Sequence, residues 1–342
     1  MVQRRLFRQW LALAALALAG ALAIVAGAAG AGRAAAQSPC AGWASPDGSD
    51  TNPGTRSRPY RTVQRLAVSL RPGQAGCLAP GAVFPEHVVI EAAGARRAPI
   101  VIRSGPGRRA VLAAGLELTQ STRYVRVQDV VVRPRLGTPS QEATVVLRGF
   151  EVSVVRSDIG GDDLDLPRSC ILVDHAGHPV IERNVIHDCG RFDGNELYAA
   201  GIRVGIAVNA RIAENNIFGN PGDAVALAPN AQRSFVSRNL IVDNGSGVYF
   251  GGSPSFVSRD NRVTRNVIVL SRRYAVHGSY TRGNPVGTGN IVFENCLWRV
   301  ALVSGVGFKE AKSRIADPSV VWTGSRYRMP LRSPCRDYGP AA

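Results

Sequence analysis

Side chains that could transfer a proton recur between residues 158 and 250. His187 is followed directly by Asp188, and an imidazole beside a carboxylate is an arrangement used for general acid–base chemistry. Sequence neighbours in a turn often point apart, however, and a histidine at a corner of the chain is more commonly a hydrogen-bonding cap. His187 is therefore a candidate catalytic residue, with a structural role as the alternative.

The densest acidic cluster lies at residues 158–165, in the stretch DIGGDDLD. Calcium takes several hard oxygen ligands, commonly from a flexible loop. Asp162, Asp163 and Asp165 are therefore candidate ligands for Ca²⁺ or for a metal that contacts a substrate. A solvated loop at a sharp turn is the alternative, and the spacing is not that of an EF-hand.

A long polar stretch at residues 190–199 follows His187 and Asp188. Long loops on a rigid scaffold are where function concentrates. Within this stretch Glu196 is a candidate catalytic residue, and Arg191 and Tyr198 are candidate substrate-binding residues.

The structural element that positions these side chains is indicated by a repeated three-residue phrase, which consists of an asparagine, any residue and then an aliphatic residue. Its copies are spaced 24 to 31 residues apart, and the earliest two are degenerate. Such a period predicts a solenoid, in which each repeat buries its apolar face only by stacking on its neighbours. The copies begin at Gln128, Ser157, Asn184, Asn215, Asn239, Asn266 and Asn295.

Three short apolar segments rich in Val, Ile and Phe fall within each repeat and predict three strands per repeat. Gly and Asn occupy the corners, and no long window in this region has helical spacing. The predicted fold is therefore all-β, a single-stranded parallel β-helix with three strands per coil. Stacked corner asparagines would hydrogen-bond between coils, and the aliphatic residues would form an inward core column of Ile186, Ile217, Ile241, Ile268 and Leu297.

Strand alternation selects another pair of candidates. In the segment Gly201-Ile202-Arg203-Val204 the aliphatic side chains face inward, so Arg203 faces outward, as do Ala226 and Tyr249 on the next two coils. Arg203 and Tyr249 would lie about 10 Å apart, two strand spacings. The small side chain of Ala226 would leave a recess between them. Arg203 and Tyr249 are therefore candidate catalytic residues on a candidate binding face, and the family resemblance given below implies that its ligand is a sugar.

The first 36 residues have the pattern of a secretory signal peptide, with arginines before an apolar run and an Ala-Ala-Ala cleavage site. An uncleaved membrane anchor is the alternative, because about 20 apolar residues can span a bilayer. The formal charge of the whole chain is +16, and loss of the four arginines of this leader leaves +12. We expect a secreted protein that meets an acidic polysaccharide or an anionic envelope polymer, and no nucleic acid, because no aromatic-interleaved basic element is present. A merely solvated basic surface is the alternative.

Six cysteines in an exported protein imply disulfides. Fifteen pairings are conceivable, but sequence proximity favours three local ones. The middle pair would join neighbouring coils, since a strand spacing of about 4.8 Å suits the Cα separation of a disulfide. The predicted pairs are Cys40 with Cys77, Cys170 with Cys189, and Cys296 with Cys335.

A resemblance to a known family rests on both ends of the chain. Residues 44–55 (ASPDGSDTNPGT), 58–64 (RPYRTVQ) and 327–335 (YRMPLRSPC) resemble segments of secreted right-handed parallel β-helix proteins. These are the pectate-lyase-like proteins with the pectin lyase fold that are related to polysaccharide lyase family nine. The resemblance covers residues from about 43 to 340. Val63, Leu66, Ala67 and Leu70 fall at helical spacing, which predicts a short helix that caps the first coil.

Four segments follow from these patterns. We expect a signal peptide at residues 1–36, an N-terminal segment with the capping helix at 37–80, the β-helix at 81–300, and a C-terminal cap at 301–342. We expect a monomer, without membrane attachment once the leader is cleaved.

The resemblance implies a lyase that acts on a uronate-containing polysaccharide by β-elimination, with a lysine base and a calcium site formed by aspartates. This chain departs from that pattern, because its only lysines, Lys309 and Lys312, lie in the C-terminal segment. A non-catalytic glycan-binding or cell-envelope protein on the same scaffold is therefore the alternative. A glycoside hydrolase is less supported, since the paired aspartates 162 and 163 resemble those of polygalacturonases without that family's companion motifs.

Overall fold

A computed structural model describes residues 39–134, 143–161, 169–190, 200–253, 255–278, 287–301 and 306–340. In these residues successive strands of the chain join different sheets, and every neighbouring pair within the three large sheets is parallel. A complete coil thus contributes one strand to each sheet. The protein is a parallel β-helix, as predicted.

Sheet A contains eleven strands within the described residues. In the order of stacking they are Cys40–Ala44, Ala75–Leu78, Ile100–Ser104, Val125–Gln128, Ser153–Val155, Val180–Glu182, Arg211–Ala213, Phe235–Ser237, Arg262–Thr264, Asn290–Phe293 and Phe308–Ala311.

Sheet B follows sheet A along each coil and has ten strands in the same described part of the chain. They are Val83–Phe84, Val111–Leu112, Val131–Val132, Asp158–Gly160, Val185–His187, Asn216–Phe218, Leu240–Val242, Val267–Val269, Cys296–Trp298 and Arg314–Ile315.

Sheet C closes the coil and has eight described strands, several of which are longer than the short segments predicted from the sequence. They are Val88–Ile90, Leu116–Leu118, Ala143–Phe150, Ser169–Gly177, Ile202–Val208, Asp223–Gln232, Ser246–Phe250 and Val276–Gly278. The described residues also form two antiparallel hairpins outside the three sheets: Gly252–Ser253 with Phe256–Val257, and Val321–Trp322 with Tyr327–Arg328.

The corner between sheets A and B carries the predicted asparagine ladder. The side-chain amide of Asn215 donates to Asn239 Oδ1 at 2.9 Å, and Asn239 donates to Asn266 Oδ1 at 2.9 Å. Each amide also donates to a backbone carbonyl of the preceding coil, such as Ile212 O from Asn239. The residue before each of the five asparagines has a left-handed backbone, with φ between 52° and 58°. The ladder therefore satisfies buried polar groups at a sharp bend.

The aliphatic residue of each phrase points inward, as predicted. Ile186, Ile217, Ile241, Ile268 and Leu297 are paired in register along sheet B and are buried. They form one column of a continuous apolar core that runs through the coils.

The three predicted disulfides are present. Cα–Cα distances are 5.6 Å for Cys40–Cys77, 5.2 Å for Cys170–Cys189 and 5.8 Å for Cys296–Cys335. The first ties together two strands of sheet A, and the third ties the C-terminal segment to sheet B.

A helix at Val63–Ser69 begins after Thr62, whose hydroxyl accepts from the Arg65 amide. Val63, Leu66 and Ala67 are its buried residues, at the spacing that the sequence indicates. The helix packs on the first strands of sheets A and C. Within the described ranges, no helix is both long enough and apolar enough to cross a membrane.

Candidate functional site

The outward column predicted on sheet C is present. Arg203 pairs in register with Ala226, Ala226 with Tyr249, and Tyr249 with His277 on the following strand. The alternation rule that found Arg203 and Tyr249 also applies to Val276-His277-Gly278, so His277 could have been found from the sequence. It was missed because its segment lacks the aliphatic residue after the outward position.

The recess predicted at Ala226 is not open. Ala226 is fully buried, and it packs with Ala200, Ala228 and Tyr249. The Tyr249 ring also folds back over Gly251, where any Cβ would lie within 2.6 Å of the ring. The prediction of an open recess was therefore wrong, because a small outward residue in this sheet is covered by its neighbours.

His277 makes a hydrogen bond that spans two coils. Its Nε2 lies 2.9 Å from Asp223 Oδ1, and the two side chains are 14% and 2% exposed. Asp223 opens its strand and pairs in register with Ser246 on the strand between. The buried carboxylate orients the ring and favours the tautomer with its proton on Nε2, and in that neutral tautomer Nδ1 carries the lone pair. No described residue hydrogen-bonds to that Nδ1.

Two tyrosines flank the His277 ring. The ring centroid of Tyr249 lies 4.8 Å away, and that of Tyr274 lies 5.5 Å away. Tyr274 is 37% exposed, so one side of the arrangement faces solvent. Ser246, which pairs in register with Asp223, is buried, and its hydroxyl has no hydrogen-bond partner among the described residues. We call Asp223, Ser246, Tyr249, Tyr274 and His277 the sheet C cluster.

The sheet C cluster has the groups needed for proton transfer. A histidine oriented by a buried carboxylate can accept a proton, and a phenol next to it can donate one. Sequence reasoning could not pair Asp223 with His277, because they are 54 residues apart and the contact skips one strand.

His187 has different surroundings on sheet B. Its Nδ1 lies 2.7 Å from Asp188 Oδ2, and its Nε2 lies 3.1 Å from Asp158 Oδ1. Burial lowers the pKa of His187, but the hydrogen bonds and charges of Asp158 and Asp188 outweigh burial and raise the pKa to about 9. The ring stacks on Phe218, with the centroids 5.1 Å apart. A histidine that is charged at neutral pH and held on both nitrogens suits a structural cation better than a base.

Asp158 is the shared partner in that arrangement. Arg133 Nη2 donates to Asp158 Oδ1 at 3.0 Å. Burial raises the pKa of Asp158, but its hydrogen bonds and charge interactions with His187 and Arg133 outweigh burial, and the net pKa is lowered. Asp158 is thus an anion held between two cations.

Six predicted site residues lie outside the described residues, and their predictions remain as stated. They are Arg191, Glu196 and Tyr198 in the loop and Asp162, Asp163 and Asp165 in the acidic cluster. Among the described residues, no group of three or more His, Cys, Asp or Glu side chains could hold a metal ion. Lys309 lies on the last strand of sheet A, and Lys312 lies at the corner that follows it, over the Phe293 ring. Neither lysine is on sheet C with the cluster.

Comparison with known proteins identifies the class of fold. A family model described as a right handed beta helix region matches residues 145–314. The fold of the chain is therefore a right-handed parallel β-helix. No curated protein matches its sequence.

Solved structures place this chain beside carbohydrate-related β-helices in fold. An alginate lyase from Paenibacillus sp. str. FPU-7 is 17% identical with a TM-score of 0.55, over 74% of this chain and 93% of that one. A structure of XylC with xylose is 12% identical with a TM-score of 0.59, over 79% and 68%. Pectate lyase Pel9A is 13% identical with a TM-score of 0.50, over 87% and 91%. At these identities the similarity is one of fold.

Proposed function

We propose that this protein cleaves an acidic, uronate-containing polysaccharide by β-elimination, and that the sheet C cluster is the reaction site. The observation that carries the proposal is the His277–Asp223 pair, flanked by two tyrosines on the same face as Arg203. Structures with this fold include a pectate lyase and an alginate lyase, which supports the choice of reaction.

Each step of the reaction has a candidate group. His277 Nδ1 takes the proton beside the uronate carboxylate, and the resulting imidazolium is stabilised by Asp223. The C–O bond to the leaving sugar then breaks as the carbon–carbon double bond forms, and Tyr249 gives its phenolic proton to the leaving oxygen. Arg203 lies three strands from His277, about 14 Å along the sheet. It would therefore hold the carboxylate of a sugar further along the polymer and not that of the sugar at the cleaved bond.

The lysine base implied by family resemblance has no counterpart near this cluster. His277 takes that role in the proposal, and His187 does not, because its two carboxylates keep it protonated. Calcium bound by Asp162, Asp163 and Asp165 remains part of the proposal, and no step above depends on it.

We further propose that the protein is secreted and acts as a monomer. Three disulfides support an oxidising compartment, because such bonds persist mainly outside the cytosol.

The test incubates the protein with pectate, alginate and other polyuronates, each with calcium or with chelator. Formation of unsaturated uronate products is measured by their ultraviolet absorbance. The variant is His277→Gln, whose amide can still donate to Asp223 but cannot accept the substrate proton. We expect its kcat/KM to fall by about 100-fold or more. The control is His175→Gln. His175 is also on sheet C and contacts an aspartate, with its Nδ1 2.9 Å from Asp174 Oδ2. Its side chain is half exposed, and it is about 70 residues before the nearer tyrosine in the sequence.

Unchanged activity in His277→Gln would contradict the assignment of the site, and absence of product from every polymer would contradict the lyase proposal. A non-catalytic glycan-binding role is the second candidate. The burial of Ala226 and Tyr249 favours it, because burial narrows access to the cluster. Retained binding without product formation is the result expected for that role.

A further inference from the structure

A second polar site lies on the other side of the coil from sheet C, between sheet B and the C-terminal hairpin. A cavity of about 350 Å³ opens there, within the size range of sites for small ligands. Five arginines and one aspartate line it, together with hydroxyl-bearing residues. The lining arginines are Arg109, Arg156, Arg183, Arg326 and Arg328. We call this the arginine pocket.

Two of the five arginines are neutralised within the protein. Arg156 makes two hydrogen bonds to Asp129, at 2.9 and 2.7 Å, and Arg183 Nε lies 2.8 Å from Glu214 Oε2. The lining carboxylate, Asp158, is likewise held by Arg133 and His187. These groups therefore add little net charge to the pocket.

The guanidinium groups of Arg109, Arg326 and Arg328 make no ion pair or hydrogen bond with any described residue. Arg109 comes from the corner before a sheet B strand, and the other two come from the C-terminal hairpin. Two separate elements thus direct into one concavity three cations that have no ionic partner in the part of the chain that the structure describes. Unpaired arginines in this arrangement favour an oxyanion ligand.

The hairpin that carries Arg326 and Arg328 is fixed in place. Asn216 Nδ2 donates to the Tyr327 carbonyl at 2.6 Å, and the Trp322 and Tyr327 rings pack edge-on against Phe218 at 5.3 and 5.5 Å. The Cys296–Cys335 disulfide anchors the same segment further along. The pocket is therefore built before a ligand arrives, which lowers the entropic cost of binding.

We infer that the arginine pocket binds a carboxylate-bearing sugar of an acidic oligosaccharide, at a site separate from the sheet C cluster. Arg109, Arg326 and Arg328 hold the carboxylate, while Asp158, Thr323 and Ser325 accept or exchange hydrogen bonds with sugar hydroxyls. None of the described lining residues is aromatic, so the pocket lacks the stacking platform used for nucleic acid. Asp158 can only accept hydrogen bonds, so it suits a ligand with hydroxyl groups, whereas an ionised polyphosphate has no hydrogen to donate to it. The choice of a sugar ligand rests on the proposed function, whereas the oxyanion site rests on the pocket's own charges.

The experiment measures binding of a labelled oligogalacturonate to the full chain by fluorescence anisotropy. In Arg326→Ala/Arg328→Ala we expect the affinity to fall by at least about tenfold, because two charge-assisted contacts are lost. The control is Arg96→Ala/Arg97→Ala, which removes the same charge from an exposed turn at another corner of the coil. We expect a change of about twofold or less there, the size of a screened surface effect.

Equal losses in both double variants, or no loss in the pocket variant, would overturn the site. A polyphosphate of equal length that binds the pocket as tightly would overturn the choice of a sugar. His277→Gln should keep the binding. If no product forms but binding still depends on Arg326 and Arg328, the proposed reaction is wrong and the arginine pocket stands. If product forms but binding does not depend on these two arginines, only the arginine pocket is rejected.

Discussion

His187 and His277 both bond to aspartate, and the number of aspartates separates their roles. His187 lies between Asp158 and Asp188, and these two carboxylates raise its pKa to about 9. His277 bonds to Asp223 alone and keeps one ring nitrogen without a protein partner among the described residues. The pair His187-Asp188 is conspicuous in the sequence, whereas Asp223 and His277 come together only through the stacking of coils. Proximity in sequence thus predicted His187 as the catalytic histidine, although its surroundings suit a base less well than those of His277.

We expect the stabilisation from His187 to depend on pH. Its pKa in the folded protein lies above the ordinary value of 6.5, so the charged form stabilises the fold. That contribution is full below about pH 6.5 and is lost as the pH rises through about 9. His187→Gln should therefore lower the free energy of unfolding by at most about 3 kcal/mol at pH 6, and by much less near pH 10.

Denaturant unfolding of wild type and His187→Gln at several pH values above 5 checks this, since Asp158 stays ionised there. His175→Gln, with a half-exposed side chain, controls for loss of a histidine ring. A difference between wild type and His187→Gln that is the same at pH 6 and pH 10 would show that His187 is not a charged member of the folded protein.

Among the elements, the corner between sheets A and B was the easiest to predict. Five asparagines at regular intervals make a period, and each coil imposes the same demand on its corner because the next coil must stack on it. Two shorter ladders were missed: Asn220 donates to Asn244, and Asn261 to Asn290, each at 2.9 Å. Two copies do not make a period, so those pairs resemble ordinary turn asparagines in the sequence.

We expect the centre of the ladder to be more sensitive than an isolated asparagine. Asn239 Oδ1 accepts from the backbone and the side chain of Asn215, while its amide donates to Ile212 O and Asn266. Asn239→Ala leaves several buried groups without partners, at a cost of about 2 to 4 kcal/mol in the free energy of unfolding. Asn230→Ala is the control, because the Asn230 side chain is half-buried and accepts one bond, from Gln232.

Urea denaturation measures both Asn variants. We expect Asn230→Ala to change the free energy of unfolding by about 0.5 kcal/mol or less. If Asn239→Ala and Asn230→Ala lower the free energy of unfolding by similar amounts, the asparagine ladder does not stabilise the corner more than an isolated asparagine does.

For the whole molecule, the sequence predicts the coils but not the path of the last segment. The coils follow from a repeated phrase and from alternation within strands. The C-terminal hairpin docks on sheet B through contacts such as Asn216 with Tyr327, which are 111 residues apart and occur once. The arginine pocket depends on that docking, so it could not be predicted from the spacing of any motif. Arg326 and Arg328 alone look like ordinary surface residues in an arginine-rich chain.

Phe218 joins the two parts of the molecule, because it projects from sheet B and is only 6% exposed under the hairpin. Phe218→Ala should free the hairpin while the inward core column stays intact, since Phe218 is not part of that column. We expect faster proteolysis within residues 316–340 and a loss of oligogalacturonate affinity of about tenfold, as in the Arg326→Ala/Arg328→Ala variant.

The matched control is Phe235→Ala, because Phe235 projects from sheet A and is 44% exposed. Its removal should leave both proteolysis and binding unchanged. If Phe218→Ala frees the hairpin and binding is retained, then Arg326 and Arg328 do not need a fixed position, and the pocket is not a preorganised site. If Phe218→Ala both speeds proteolysis of the hairpin and weakens oligogalacturonate binding, then docking of the C-terminal hairpin on sheet B is what forms the binding site.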